Sequence, residues 1–266
     1  MRTGLRLREH IEDLNVSLQR KLPVDFFEIN NRQEFLSCLE KLLIAIRSKA
    51  ENPILHIECH GGPQGLQLAD DSIISWTELK PILVLLNQAT RCSLYVILAA
   101  CHGAYLINII TPTDRAPCWG IFAPPEQVKA GELLQDFKDF YTALMSGKQT
   151  PEAFLSSLER ATRYLPTSAE TLFKDAYVNF LATNRAPDVL RKRARLLQKK
   201  LKKTAHLDRF SLGEIGRALD AQIPTDFERY RREFFMVDLY PENADRFSVS
   251  FDEVIALSRA PVLSID

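Results

Sequence analysis

The sequence predicts an α/β fold in which a mostly parallel sheet is flanked by helices and followed by a C-terminal helical appendage. Short apolar runs alternate with helical patterns as far as about residue 165, which is typical of crossovers between parallel strands. The continuous apolar run SLYVILAAC (93–101) is the pattern of a strand covered on both faces. No further long apolar strand follows residue 165. We therefore expect a sheet domain over residues 1–165 and a helical module over 166–266.

The first elements are two helices with a strand between them. Apolar side chains recur at helical spacing over residues 5–19, and VDFFEI (24–29) is a short apolar run of strand type. Asn31 is a residue type that caps helices, and the amphipathic pattern after it continues through Ala50.

The middle of the chain reads as a strand, a hairpin and a helix. PILHIEC (53–59) is a second apolar run that is closed by the turn sequence HGGP. GLQLADDSIISW (65–76) alternates around an Asp-Asp turn, as a hairpin does, and residues 76–87 are helical in pattern. After the strand at 93–101, we expect a helix over 104–110.

The end of the sheet domain and the start of the module also have readable patterns. CWGIFAP (118–124) predicts another strand, and the patterns at 126–147 and 151–163 predict helices, with Pro151 suited to a first helical turn. RKRARLLQKKLKK (191–203) is of helical type and strongly basic. We interpret this basic stretch as a solvated helix face, with contact to an acidic partner or nucleic acid as the alternative.

Composition and charge narrow the expected functions. The chain has 266 residues, 46% of them hydrophobic, and its 34 basic and 34 acidic residues give a formal net charge of zero. No global field therefore attracts nucleic acid or anionic lipid, and neither is an expected partner. Because no apolar run reaches the roughly 18 residues of a membrane span and the N-terminal segment is charged, we expect a cytoplasmic protein without signal peptide or membrane contact.

The five cysteines do not form a disulfide pattern. Their number is odd and no Cys-x-x-Cys spacing occurs, which fits a reducing compartment. Cys38, Cys92 and Cys118 are interpreted as buried thiols, the commonest state of this residue type. Cys59 is expected to pack under the sheet, because neighbouring strand residues point to opposite faces.

Two predicted strands end in residues that can perform chemistry. One ends in CHGG (59–62) and the other in ACHG (100–103), and the carboxyl ends of parallel strands share the sheet edge where ligands gather. A thiol becomes a good nucleophile when an imidazole or a helix N-terminus favours its thiolate. We therefore expect Cys101 and His60 to lie within roughly hydrogen-bond range of each other. The glycines let backbone N–H groups approach an oxyanion, with those of Gly61 and Cys101 as the natural donors.

The order and spacing of these strand ends resemble the caspase-like cysteine peptidases of clan CD, and especially their bacterial CHAT branch. The matching segments are HIECHGGPQGLQLADD (56–71), ISWTEL (74–79) and LYVILAACHGA (94–104), and the resemblance covers about residues 22–165. It implies hydrolysis of a peptide bond through an acyl-enzyme, with Cys101 as nucleophile and His60 as general base or acid. No metal or organic cofactor is implied.

The resemblance also suggests a substrate site and partners. Gly103 and Ala99 are expected beside the bound substrate, together with Gly61. Caspases carry Gln and metacaspases carry Asp at the position of Ala99, so no preference for the residue before the cut follows from it. The implied partner is a protein or peptide substrate, gasdermin-like proteins among them, in bacterial defence or regulated cell death. The module at 166–266 would bind a regulatory protein or form a homo-oligomer.

Four other interpretations remain open. His102 could replace His60 as the base, although immediate neighbours of a nucleophile seldom present their ring to it. The Cys and His residues at 59–60 and 101–102 have the ligand chemistry of a zinc site. An α/β-hydrolase-like cysteine hydrolase would need a histidine after the nucleophile, such as His206. The chain could also be a catalytically inactive caspase-like scaffold.

Overall fold

The computed structural model describes residues 3–148, 164–184, 187–203 and 211–259. Two compact units divide the chain: Met1–Ile109 with Pro117–Thr167, and Ile110–Ala116 with Ser168–Asp266. The division after Thr167 lies close to the predicted boundary between residues 165 and 166. The inclusion of residues 110–116 in the second unit was not predicted. The predicted helix at 151–163 and the α/β-hydrolase candidate His206 lie outside the described residues.

The first unit is built on a four-stranded, mostly parallel sheet. Its strands lie in the order β1-β5-β6-β7, and β5 pairs in parallel with both β1 and β6. The α/β class and the parallel sheet predicted from sequence are confirmed. The strands of this sheet are β1 (Ile54–Glu58), β5 (Tyr95–Ala99), β6 (Gly120–Ala123) and β7 (Leu165–Ser168).

A small antiparallel sheet is inserted between β1 and β5. It consists of β2 (His60–Gly62), β3 (Gly65–Gln67) and β4 (Ile73–Ser75), in that order. The predicted hairpin corresponds to β3 and β4. Gly65 has a φ of +156°, and a Cβ there would collide with the carbonyl oxygen of Ile74. The turn between β2 and β3 therefore requires glycine at position 65.

Among the described residues of the first unit, five helices accompany the two sheets. The helix predicted after Asn31 is confirmed: the Asn31 side chain accepts a hydrogen bond from the Glu34 N–H at 2.9 Å, and Ala50 ends the helix in the left-handed conformation. The α2 and α3 helices pack together, as do α1 and α5. The helices are α1 (Thr3–Ser17), α2 (Arg32–Lys49), α3 (Trp76–Ala89), α4 (Tyr105–Asn108) and α5 (Ala130–Met145).

A hydrophobic cluster joins one face of the sheet to α1 and α5. The sheet contributes alternate residues of β5, since side chains on a strand alternate between its two faces. These residues pack against leucine, isoleucine and aromatic side chains of the two helices. The buried members include Leu7, Ile11, Tyr95, Ile97, Ala99, Phe122, Phe137, Phe140 and Tyr141.

The strand predicted for VDFFEI is wrong. Residues 20–30 belong to no helix or strand. Phe26 instead lies beside Gly4 in α1, with the guanidinium of Arg8 over its ring at 5.9 Å from the centroid, and Val24 packs on the hydrophobic cluster. Val24 and Phe26 thus pack beside α1 and its neighbours without strand pairing, whereas Phe27 remains 58% exposed.

The second unit is helical and has an aromatic core. Phe173 contacts Tyr177, Phe227, Phe234 and Phe235, with ring centroids 5.2–5.7 Å apart. Its helices are α6 (Ala169–Asn184), α7 (Pro187–Lys203), α8 (Leu212–Ala221), α9 (Ile223–Phe234), α10 (Asn243–Arg246) and α11 (Phe251–Arg259).

Two contacts explain why residues 110–116 belong to the helical unit. The Arg115 guanidinium donates to Asp238 at 2.8 Å, and the Ala116 N–H donates to the Phe234 carbonyl at 2.9 Å. The basic stretch lies on α7 as predicted. Six of its basic side chains are exposed, those of Arg191, Lys192, Arg193, Arg195, Lys199 and Lys200. Within the described ranges, none of the helices has the length and apolar character that a bilayer crossing requires.

Candidate active site

The register of the parallel sheet brings the two predicted strand ends to the same level. Glu58, the last residue of β1, lies opposite Ala99, the last residue of β5. His60 follows Glu58 by two residues and Cys101 follows Ala99 by two residues. Since β1 and β5 are parallel neighbours, both candidate catalytic residues lie at the carboxyl edge of adjacent strands.

Gly61 brings the backbone of the His60 strand into direct contact with the Cys101 backbone. A Cβ placed on Gly61 would collide with the Cys101 carbonyl oxygen and would lie 3.0 Å from Ala100 Cβ. A Cβ on Gly62 would meet no atom within 4 Å. The first of the two glycines is therefore required for the close approach, and the second is not.

The loop that carries Cys101 is fixed by the segment after β6. The His102 N–H donates to the Glu126 carbonyl at 3.2 Å, and the Ala104 N–H donates to the Pro124 carbonyl at 3.1 Å. His102 has a φ of +58°, a left-handed conformation that turns the chain sharply after Cys101. These bonds hold the half-buried Cys101 at a defined place beside Gly61.

The Cys101 thiol points toward the same segment. Its Sγ lies 3.7 Å from the Val128 carbonyl oxygen, to which it donates a hydrogen bond. The His60 side chain, in contrast, is exposed. Among the residues that the structure describes, no hydrogen bond joins the thiol to the His60 ring. Unliganded catalytic sites often have long or unformed hydrogen bonds between their groups, so formation of a Cys-His pair requires the thiol to leave Val128.

Three of the other cysteines, Cys38, Cys59 and Cys118, lie in surroundings that oppose ionisation. Burial, with a smaller contribution from the neighbouring Glu58, raises the pKa of the Cys59 thiol to about 12. Burial also raises the pKa of Cys38 and of Cys118. Because the thiolate is the reactive form, these three residues are poor nucleophiles, as their interpretation as structural thiols requires.

Gly103 and Ala99, which the resemblance places beside the substrate, are both buried. Ala99 is 1% exposed and belongs to the hydrophobic cluster. Gly103 is buried, its N–H donates to the Ala100 carbonyl at 3.1 Å, and a Cβ on it would lie 3.1 Å from Leu98 Cβ. We therefore assign both residues to packing beneath the Cys101 loop.

The helix after Cys101 is shorter than predicted. It contains four residues, Tyr105–Asn108, so it has little macrodipole with which to favour a thiolate. The His102 ring lies edge-on to Tyr105, with centroids 5.8 Å apart. For the zinc interpretation, no group of three or more His, Cys, Asp or Glu side chains within the described ranges could hold a metal ion.

Sequence reasoning missed two titratable residues, His56 and Glu58, which lie on β1 just before the candidate site. His56 packs against Phe137, with ring centroids 4.7 Å apart, and its Nδ1 lies 3.2 Å from the Tyr141 hydroxyl. Its Nε2 is buried without a hydrogen-bond partner among the described residues, and burial lowers the pKa of His56 to about 4. Burial raises the pKa of Glu58 to about 7 despite a hydrogen bond from the Gly4 backbone. The alternation of side chains along β1 was the available signal for a shared face.

Comparison with known proteins adds no relative. The chain matches no protein-family model and no curated protein.

The shifted pKa values of His56 and Glu58 predict two pH dependences of stability with opposite signs. His56 is neutral in the folded state down to about pH 4 but binds a proton near pH 6.5 when unfolded. Its contribution to the free energy of unfolding therefore falls by up to about 3 kcal/mol as the pH decreases between those values. Glu58 retains its proton up to about pH 7 in the fold, so its contribution is full below pH 4.5 and is lost as pH rises through 7.

We expect single substitutions to separate the two pH dependences of the free energy of unfolding. With His56→Gln, the free energy of unfolding should fall as pH rises from 4.5 to 7, and with Glu58→Gln it should rise from pH 4 to 6.5. Urea unfolding followed by tryptophan fluorescence measures this in the first unit, which contains both tryptophans, Trp76 and Trp119. Profiles that run parallel to wild type in both variants would contradict this assignment.

Proposed function

We propose that the chain is a caspase-like cysteine peptidase that cleaves a protein substrate with Cys101 and His60. The observation that carries this proposal is the contact of Gly61 with the Cys101 backbone, which places a histidine-bearing strand against a cysteine-bearing loop at one sheet edge. The parallel register of β1 and β5 supports it. The raised pKa values of Cys38, Cys59 and Cys118 also support it, because they make these thiols poor nucleophiles.

The proposed reaction begins with transfer of the Cys101 Sγ proton to the His60 ring. The thiolate attacks the carbonyl carbon of the scissile peptide bond, and the oxyanion that forms accepts hydrogen bonds from the Gly61 and Cys101 N–H groups. The C–N bond then breaks, and His60 gives its proton to the leaving amine. Water, deprotonated by His60, hydrolyses the thioester and regenerates the thiol.

The hydrogen bond from the thiol to Val128 fits a resting state in this scheme. The carbonyl stabilises the protonated thiol, and attack on a substrate would require the thiol to leave this contact. The same bond is the observation that favours the second candidate, a catalytically inactive scaffold in which Cys101 never leaves Val128.

The wider biological role is proposed from the resemblance. We place the protein in the cytoplasm, acting on a protein substrate such as a gasdermin-like protein in bacterial defence or regulated cell death. The helical unit, with its exposed basic residues on α7, would receive the regulatory partner or a second copy of the chain.

A peptide-library cleavage profile tests the proposed activity. Wild-type protein should cleave a defined subset of peptides, Cys101→Ala should cleave none, and Cys59→Ala should retain the wild-type profile because the Cys59 thiol, with its pKa of about 12, is not ionised at neutral pH. A wild-type profile indistinguishable from that of Cys101→Ala would overturn the peptidase and favour the scaffold.

A further inference from the structure

Trp76 is tied directly to the strand that carries His60. Its indole Nε1–H donates a hydrogen bond to the Gly62 carbonyl at 3.1 Å, and its side chain is 3% exposed. An indole has one donor and no acceptor, so this bond uses its whole polar capacity. Trp76 is the first residue of α3, and it therefore links the start of this helix to the end of β2.

The start of α3 is itself held firmly. Ser75 and Glu78 form a capping box, in which each side chain bonds to the backbone of the other residue. The Glu78 carboxylate also pairs with Arg32 of α2 at 2.6 Å, and these bonds lower the pKa of Glu78 to about 2. Trp76 is thus anchored through α3 to a neighbouring helix.

The strand that Trp76 contacts is short, rich in glycine and paired with β3 at the edge of the small sheet. The β2 strand has three residues, and two of them are glycines, which have the greatest backbone freedom of all residues. Gly61, at its centre, makes the contact with the Cys101 carbonyl. A displacement of Gly62 would therefore move Gly61 and His60 relative to Cys101.

We propose that Trp76 is a positioning residue for His60, acting through the Gly62 carbonyl to set the spacing between the base and Cys101. This inference rests on the proposed peptidase function and assigns a role to a residue outside the two strand-end motifs. Its action is indirect, since its indole N–H bonds to Gly62 and not to Cys101 or His60.

Trp76→Phe tests the inference, with Trp119→Phe as the matched control. Both changes remove an indole N–H and keep an aromatic ring. Trp119 precedes β6 at the opposite end of the strands and packs edge-on against Tyr95 at 5.3 Å. We expect kcat to fall about tenfold or more in Trp76→Phe, since misplacement by about 1 Å can cost a hundredfold, with a smaller change in KM. Trp119→Phe should keep both constants.

A second readout separates positioning from general destabilisation. The rate of Cys101 alkylation by iodoacetamide, measured against pH, reports how readily the thiol ionises beside His60. In Trp76→Phe this profile should differ from that of wild type, whereas in Trp119→Phe it should match wild type. Equal kcat values and equal alkylation profiles in the two variants would overturn the role of Trp76 while leaving the peptidase proposal intact. A wild type without cleavage would instead overturn the proposed function, and this inference with it.

A measurement on the wild-type protein avoids any dependence on the folding of a variant. The chain has two tryptophans, so a ¹⁵N-tryptophan label gives two indole N–H signals, which Trp119→Phe assigns. Alkylation of Cys101 should shift the Trp76 signal and leave the Trp119 signal in place. Equal shifts, or no shift, would contradict a connection through Gly62.

Discussion

Replacement of His60 by asparagine is expected to lower kcat/KM for peptide cleavage by roughly a hundredfold to ten-thousandfold, the usual contribution of a general base. The imidazole is the group that would take the Cys101 proton and return it to the leaving amine. Asparagine is polar and similar in size but accepts no proton. Because His60 is exposed, the substitution should leave the free energy of unfolding nearly unchanged.

His102→Asn is the matched control for this experiment. It makes the same chemical change next to the nucleophile, and asparagine tolerates the left-handed backbone that His102 adopts. We expect kcat/KM in this variant to stay within a few-fold of wild type. A larger loss in His102→Asn than in His60→Asn, measured on the best library peptide, would transfer the role of base to His102.

The second large effect is expected at Gly61. In Gly61→Ala the added methyl group would collide with the Cys101 carbonyl, so the strand or the loop must move, at a cost of about 1–3 kcal/mol in stability. Because both groups of the catalytic pair lie on these two segments, we expect kcat to fall by about tenfold or more.

Gly62→Ala provides an internal comparison one residue away. Its methyl group would enter open space. Neither Gly61 nor Gly62 has a positive φ, so the backbone conformation suits alanine at both positions, and the two variants differ in the collision with the Cys101 carbonyl that only Gly61→Ala creates. We expect stability within about 0.5 kcal/mol of wild type and nearly unchanged kcat. Equal losses in the two variants, measured by urea unfolding and steady-state kinetics, would show that the contact of Gly61 with Cys101 is not what matters.

Much of the first unit could be predicted because its signals are local. Asn31 caps its helix as expected, and the apolar run at 93–101 forms β5. The exceptions depend on tertiary partners. Phe26 packs on α1 and not in a strand, and β7 contains Pro166 within four residues that have no apolar run. Neither outcome is encoded in the periodicity of the segment itself.

The nearness of the two strand ends could be predicted from sequence, but the contacts that support them could not. The parallel register that aligns His60 with Cys101 follows from strand order, whereas the bond from Trp76 to Gly62 depends on how α3 is placed after the hairpin. The burial of Ala99 and Gly103 was missed for a related reason. Position in a motif indicates nearness to the nucleophile, but only the packing of β5 against its neighbours determines which face each residue occupies.

Covalent labelling with a peptide chloromethyl ketone tests the central claim, that Cys101 is a nucleophile activated by His60. The ketone carries the sequence of the best library peptide, and mass spectrometry of the digested protein locates the adduct and its rate of formation. We expect a single adduct on Cys101 in wild type and a rate at least about tenfold lower in His60→Asn. An adduct on Cys59 or Cys38, or equal rates at Cys101 in the two proteins, would contradict the claim.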